Sequence, residues 1–295
     1  MTKPDICIHH MPCADGFTAA WAAWRRWPDI EFHPGVYGEE PPDVTGKDVL
    51  IVDFSYKRPV LEAMAQTAAS IRILDHHKSA EADLVDFAVP RLDGLPVWSD
   101  STKIQALFDM NKSGARLTWE YVHSVHFEPC YCPAIVLYVE DRDLWRFTLP
   151  DSREVAAELF SRDYDFATWN DFANDLETPA TRGRIVAGGA AIERKHFKDI
   201  GELLKLTTRE MVIGGQRVKV ANLPYTMSSD AANMLSEGAP FGACYYDNAD
   251  GKRVFSLRSK DGGADVSEIA VAYGGGGHAR ASGFQAPGGW EGDAR

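Results

Sequence analysis

An α/β protein of two domains is the fold class that the sequence predicts, an N-terminal doubly wound parallel sheet followed by a smaller C-terminal α/β domain. Three observations lead there. Short apolar runs alternate with helical stretches through the first half, the rhythm of strand–helix–strand units that builds a parallel sheet. From about residue 216 the texture changes to closely spaced strands around the turn-rich segment Asp247-Asn-Ala-Asp-Gly251. The chain has 295 residues, enough for two ordinary domains.

Taken in order, Ile6 to His10 reads as the first strand, and Phe17 to Trp27, rich in Ala and Trp, as a helix packed on a sheet. Asp48 to Phe54 is the second clear strand, followed by a helix from about Pro59, a residue suited to a first helical turn. Ser70 to Asp75 is the third. A helix opens near Ser113, a good N-cap, and runs through Trp119 to Val125. Pro133 to Val139 begins an apolar segment that leads into Glu140-Asp-Arg-Asp-Leu-Trp145, and residues 150–205 read as helical and polar. Beyond them come a strand at Gln216–Leu223, a short helix at Ser228–Glu237, a hairpin of Phe241–Tyr246 with Arg253–Arg258, and a helix at Val266–Tyr273 that runs into four glycines. The boundary is expected in the helical region near 185–210. Residues 1–190, with a helical connector to about 210, form the first domain and 211–290 the second.

Composition narrows the function classes. Hydrophobic residues make up 45% and charged residues 25%, the balance of a globular chain, and no apolar run approaches the ~20 residues that span a bilayer. With Asp15 interrupting the first apolar run, no secretory signal is read, and a cytoplasmic location is expected. Cys7, Cys13, Cys130, Cys132 and Cys244 are an odd count without C-x-x-C spacing, which argues against a disulfide framework or a structural zinc site. Net charge is -12, from 43 acidic and 31 basic residues. No basic stripe is visible of the kind that grips a long duplex through several phosphates.

The informative residues sit at strand ends. The first strand ends in His9-His10, with Cys13 and Asp15 just beyond; the second ends at Asp53; the third ends at Asp75-His76-His77. In an open parallel sheet the ligand crevice lies at the carboxyl ends of the strands, so these groups are drawn towards one place. Each has a bland reading when taken singly, Asp15 as a helix cap and a lone His as a hydrogen-bonding partner. Together, several carboxylates with few Lys or Arg nearby repel one another unless cations fill the space, and carboxylate with imidazole suits Mn²⁺, Mg²⁺, Fe²⁺ or Zn²⁺.

His9-His-Met-Pro-Cys-Ala-Asp15-Gly16, Val52-Asp53-Phe54-Ser55 and Asp75-His76-His77 resemble the first three motifs of the DHH superfamily of phosphoesterases, and Asp141-Arg-Asp143-Leu-Trp145 resembles the fourth. Ser256-Leu-Arg258-Ser259, Gly274-Gly-Gly-Gly277-His278 and Ala281-Ser282-Gly283 resemble the C-terminal domain associated with that family. The resemblance implies a metal-dependent hydrolysis of phosphate esters in a cleft between the two domains, with two ions, Mn²⁺ first and Mg²⁺ or another divalent cation as the alternative. By the family's pattern His9 and Asp53 hold one metal, while Asp15, Asp53, His76 and Asp143 hold the second. His9 is preferred to His10 because the family places its His six residues before the second acidic position, here Asp15. Asp143 is preferred to Asp141 because an apolar residue and an aromatic follow it. Asp75 is expected to orient a neighbouring histidine and His77 to face the substrate phosphate. Cys13 stands where the family usually carries an aspartate; it is either a thiolate ligand or a small buried side chain.

In the second domain, Gly275, Gly276, Gly277 and His278 are expected to recognise a phosphate or nucleotide end, since consecutive glycines let backbone N–H groups approach an anion closely. Arg258, next to Ser259, is expected as a phosphate clamp. Short oligonucleotides or dinucleotides are the expected substrates, with no long duplex and no membrane as partner; a homodimer is compatible with the sequence. Two rivals stand beside this reading. Pyrophosphate or polyphosphate hydrolysis ranks second, because Arg258, Lys260 and Arg280 make no dense basic cluster. A non-catalytic nucleotide-binding protein ranks third.

Overall fold

The computed structural model describes residues 2–92, 95–123 and 131–294, so Cys130 and the expected end of a helix at Val125 lie outside the described residues. The chain forms two compact units, residues 1–193 and 194–295.

The first unit is built on β1 (Ile6–His10), α1 (Ala14–Arg26), β2 (Glu31–Gly35), β3 (Asp48–Val52), α2 (Arg58–Thr67) and β4 (Ser70–Asp75). Next come α3 (Lys78–Asp83), a small hairpin of β5 (Arg91–Leu92) and β6 (Leu95–Pro96), β7 (Ile104–Phe108) and α4 (Gly114–His123). Then α5 (Ala134–Asp143), α6 (Ser152–Phe160), α7 (Phe166–Glu177) and α8 (Pro179–Thr207) follow, the last belonging to this unit only as far as residue 193. Five strands make one all-parallel sheet in the order β2-β1-β3-β4-β7. Successive side chains point to opposite faces, and both faces are apolar, as a doubly covered parallel sheet requires. Cys7, Leu50, Val52, Leu74 and Leu107 pack with α1, α4, α5 and α7, while Ile6, Ile8, Ile51, Ile71 and Ile73 pack with α2.

Alanines let α1 lie close to the sheet, and its Trp21 is fully buried and stacks on Trp119 at 5.8 Å. Trp169 is fully buried too and donates its indole N–H to Thr18 Oγ1 at 2.9 Å. Truncating buried rings of this size to Ala typically costs about 3–5 kcal/mol. Pro59 lies in the first turn of α2, as expected. Pro34 is tolerated in β2 because that strand is the sheet's edge.

Because every strand is parallel, all carboxyl ends share one rim. The chain leaves β1 to one side for β2 and returns to its other side for β3, so the order reverses at β1 and β3. A doubly wound sheet opens its ligand crevice at such a switch point.

The second unit contains β8 (Arg209–Ile213), β9 (Gln216–Asn222), α9 (Ser228–Leu235), β10 (Gly242–Asp247), β11 (Lys252–Arg258), α10 (Val266–Ala272), β12 (Gly276–His278) and β13 (Ala281–Pro287). Its six-stranded sheet has the order β12-β13-β11-β10-β9-β8 and is antiparallel except for β9 with β10. Residues of α9 pack with Ala221 and Cys244, while Val266 and Ala270 of α10 join Phe255 and Phe284 in a separate cluster. The expected β10–β11 hairpin is present. Part of the glycine run is a strand: Gly276, Gly277 and His278 pair with Gly283, Ser282 and Ala281. A Cβ on Gly275 would meet Gly283 O at 2.1 Å, and one on Gly277 would meet Ala281 O at 2.6 Å, so tight strand packing is a reason for glycine there. Among the described residues, no helix is long and apolar enough to cross a membrane.

Candidate metal centre

Three strand ends on the common rim, joined by the end of α5, supply the acidic groups. Asp53 follows β3 directly, in the left-handed backbone region at φ 54°, and is 1% exposed. Asp75 closes β4 and is fully buried. Asp15 enters on the first turn of α1 after β1, 1% exposed, and Asp143 ends α5 with 29% of its side chain exposed.

Asp15, Asp53 and Asp143 converge on one imidazole. His76 Nε2 lies 3.5 Å from Asp15 Oδ2, 3.1 Å from Asp53 Oδ1 and 3.5 Å from Asp143 Oδ2. Burial alone would lower the His76 pKa, but Asp53, Asp143 and Asp15 outweigh it and hold it well above the ordinary histidine value. Burial, followed by the charges of Asp53 and Asp143, pushes Asp15 well above the usual carboxylate range. Burial would raise Asp53 too, but His10 and His76 reverse that and hold it well below its ordinary value. One imidazolium cannot balance three carboxylates, so a site of this composition calls for further positive charge.

A second group adjoins the first at Asp53. His10, Cys13 and Asp53 bring ligand-type atoms within 4.8 Å of one another, as do Asp15, Asp53 and His76. Asp53 Oδ2 and His10 Nδ1 are 3.5 Å apart, both buried, and neither makes a hydrogen bond among the described residues. Buried polar atoms without partners are costly, and these two are available to an ion. The residues therefore fit divalent metal at Asp15, Asp53, His76 and Asp143, and at His10, Cys13 and Asp53. Burial, then Asp53, Asp143 and Asp15, hold the Cys13 thiol well above its ordinary pKa.

The structure places the other expected residues as follows. His9 points to the opposite face of β1 from His10; it is 5% exposed, lies edge-on to Phe17 at 5.8 Å, and burial lowers its pKa to about 4. It is absent from the four-residue convergence around His76 and from the His10–Cys13–Asp53 group. Asp75 accepts four hydrogen bonds: Oδ1 from His76 N at 2.7 Å, His77 N at 3.2 Å and His77 Nδ1 at 2.7 Å, and Oδ2 from Ser55 Oγ at 2.6 Å. It thereby fixes the His77 ring through Nδ1. Burial would lower the His77 pKa, and the Asp75 charge reverses this and raises it. Asp141 is occupied elsewhere, its carboxylate accepting from Thr148 N, Thr148 Oγ1 and Leu149 N at 2.9, 2.7 and 3.2 Å.

In the second unit, Arg258 ends β11 and donates to Leu257 O at 2.8 Å and to Ser229 Oγ at 2.6 Å. Ser259 is 6% exposed and donates from Oγ to Ala279 O at 3.3 Å. Gly275 precedes β12, which contains Gly276, Gly277 and a half-buried His278.

Two features of the centre escaped the sequence reading. The N-terminus of α4 grips Asp15: Gly114 N donates to Oδ2 at 2.6 Å and Ala115 N to Oδ1 at 3.0 Å. The positive end of a helix dipole favours that carboxylate as an anion. Ser113 caps the same helix, accepting from Arg116 N at 3.2 Å. Tyr37, 53% exposed, lies edge-on to His10 at 5.2 Å and 4.8 Å from Phe54, so its ring borders the His10 side of the site. Alternation along β1 was a signal for His10; nothing local marked Gly114 or Tyr37.

No protein-family model matches the chain. It is similar to an uncharacterised protein, R106, of Acanthamoeba polyphaga mimivirus, 28% identical over 305 residues and covering 95% of this chain and 67% of that one. Among solved structures, the pGpG-specific phosphodiesterase PggH from Vibrio cholerae is similar over 96% of this chain and 93% of its own, at 15% identity and a TM-score of 0.47. The DHH domain of a member of a family of ribosomal proteins is similar over 95% of this chain and 82% of its own, at 14% identity and a TM-score of 0.48.

Proposed function

We propose that this chain is a divalent-metal-dependent phosphoesterase of the DHH type that hydrolyses short oligonucleotides or dinucleotides. The observation that carries the reading is the convergence of Asp15, Asp53 and Asp143 on His76 at the switch point of the sheet. Asp15, Asp53, His76 and Asp143 would hold one ion. Asp53 would also serve a second with Cys13 and a β1 histidine, His10 by proximity and His9 by the family's spacing. The mixed carboxylate and imidazole donors suit Mn²⁺, with Mg²⁺ as the harder alternative. Bound divalent ions supply positive charge to phosphoryl oxygens and lower the pKa of water.

The chain's own groups do the rest. Asp75 holds the His77 ring through Nδ1, and His77 is proposed to contact a phosphoryl oxygen or help protonate the leaving oxygen. Two amides of the α4 N-terminus orient Asp15 and favour its carboxylate form, against the burial and neighbouring charges that raise its pKa. In the second unit, Arg258, Ser259 and Gly275 to His278 are proposed to bind the far end of the substrate, with Arg258 held by Ser229. The net charge of -12 and the lack of a basic stripe in the sequence support a short ligand.

The test is a hydrolysis panel in Mn²⁺, before and after chelation: dinucleotides including pGpG, a longer RNA, adenosine bisphosphate and pyrophosphate, with wild type and Asp53→Asn. Metal-dependent cleavage of the dinucleotides, lost in Asp53→Asn, is expected. Turnover of pyrophosphate alone would move the assignment to the rival hydrolase, and full activity in excess chelator would overturn it.

A further inference from the structure

Directly after Asp143, the chain turns through a loop whose backbone is left-handed at two aromatic residues, Trp145 at φ 56° and Phe147 at φ 51°. Bulky side chains rarely adopt that region, and such strain persists only where the surroundings over-determine it, most often at functional sites. Asp141 fixes the loop. Besides its three carboxylate bonds, its carbonyl accepts from Arg146 N at 2.8 Å and Phe147 N at 3.3 Å.

Two guanidinium groups join the rings. Arg142 Cζ lies 4.2 Å from the Trp145 ring centre and 5.4 Å from that of Phe147; Arg153 Cζ lies 3.7 Å from Phe147 and 5.7 Å from Trp145. The rings meet edge to face at 5.1 Å. All four side chains are only half-buried, and Phe160, 46% exposed, borders the group. Core packing would hide the rings; here a strained loop keeps them at the surface beside a metal-ligand candidate.

We infer that Arg142, Trp145, Phe147 and Arg153 form a stacking subsite for a nucleobase of a single-stranded nucleotide ligand. This rests on the phosphoesterase reading for what happens to that ligand, and it deepens that reading by giving the base a place. Flat bases stack on indole and on guanidinium planes with little regard to sequence, and arginine adds donors for a phosphate. A chain of net charge -12 gains nucleotide affinity this way, and pyrophosphate, having no base, gains nothing. The competing account is a purely structural clamp, in which Arg142 and the rings only hold Asp143 in place.

Trp145→Gly separates the two, since glycine adopts the left-handed backbone without strain, and Trp145→Phe restores a ring. Binding is measured in Mn²⁺ with a 2-aminopurine dinucleotide carrying a non-hydrolysable methylene phosphonate linkage, against the same compound lacking its bases. The preference for the base-containing probe should fall about tenfold or more in Trp145→Gly and be largely recovered in Trp145→Phe. Equal weakening for both probes would establish the clamp and overturn the subsite; an unchanged preference, or a wild type that binds neither probe, would overturn the subsite too. Wild-type hydrolysis run alongside reads the phosphoesterase assignment separately. Base-dependent binding without turnover removes that assignment and keeps the subsite, while turnover without base preference does the reverse.

Discussion

Replacing Gly114 by alanine adds one methyl group where two candidate metal-ligand carboxylates, Asp15 and Asp53, are held at once. The new Cβ would lie 2.4 Å from Asp53 Cβ and 2.8 Å from its Cα and Cγ, whereas ordinary contact begins at 3.4 Å, so 3.4 − 2.4 = 1.0 Å must be found. Either Asp53 moves, against its backbone N–H bond to Leu74 O at 2.9 Å, or the α4 N-terminus retreats and loosens the 2.6 Å bond from Gly114 N to Asp15. A misplacement of about 1 Å at a reacting centre costs on the order of 10²-fold in rate. Overpacking costs about 1–3 kcal/mol, offset by up to ~1 kcal/mol of better helix propensity. A net loss of about 1–2 kcal/mol is expected. Gly183→Ala is the control, a helical glycine with nothing within 4 Å of the added Cβ, and should be neutral or stabilising. Denaturant melts, calorimetric Mn²⁺ titration and dinucleotide turnover measure the three effects. Wild-type metal affinity and turnover in Gly114→Ala would refute the geometry.

Asp141→Asn should destabilise the first unit by about 1–3 kcal/mol through lost loop hydrogen bonds, whereas Asp143→Asn should lower metal occupancy with little change in the melt; reversed results would make Asp141 the ligand. Cys13→Asp should tighten Mn²⁺ and Mg²⁺ binding, because a carboxylate oxygen suits hard ions better than sulfur, and identical ion counts in wild type, Cys13→Asp and Cys13→Ala would make Cys13 a packing residue. Arg253, 7% exposed, donates to Asp247 at 2.8 Å, Glu291 at 2.9 Å and Trp290 O at 2.8 Å and lies 4.2 Å from the Tyr245 ring centre. Arg253→Lys loses that fork and should cost the second unit about 1–3 kcal/mol by thermal melt, with Mn²⁺ stoichiometry unchanged.

The parallel core was legible because its strands end in a conspicuous way. Apolar runs such as Asp48–Val52 and Ser70–Asp75 stop at ionisable residues, and a parallel sheet brings such stops to one rim. The choice between His9 and His10 was harder. Strand alternation says that the two point apart, and it does not by itself tell which of them serves the crevice. β7 was missed because Gln105 interrupts a five-residue run; it is 4% exposed, and its amide is satisfied by Ser99 N, Ser99 O and Thr102 O. The glycine run reads as a phosphate loop in isolation, and its partner strand is visible only once Ala281 to Gly283 fold back on it. The grip of α4 on Asp15 joins residues 99 apart in sequence, a link that no local pattern encodes.

That grip bears on how the protein is made. A carboxylate on the first helix and the amides that hold it are separated by roughly a third of the chain, so they meet only after the intervening strands have assembled. Contacts at such separation form late, because the loop they close must first be brought together. A nascent chain released after β4 already carries His10, Cys13, Asp15, Asp53, Asp75 and His76, yet lacks the amides of α4 and the Asp143 carboxylate. On the proposed metal reading, capture of an ion would follow completion of the first unit rather than the emergence of its candidate ligands.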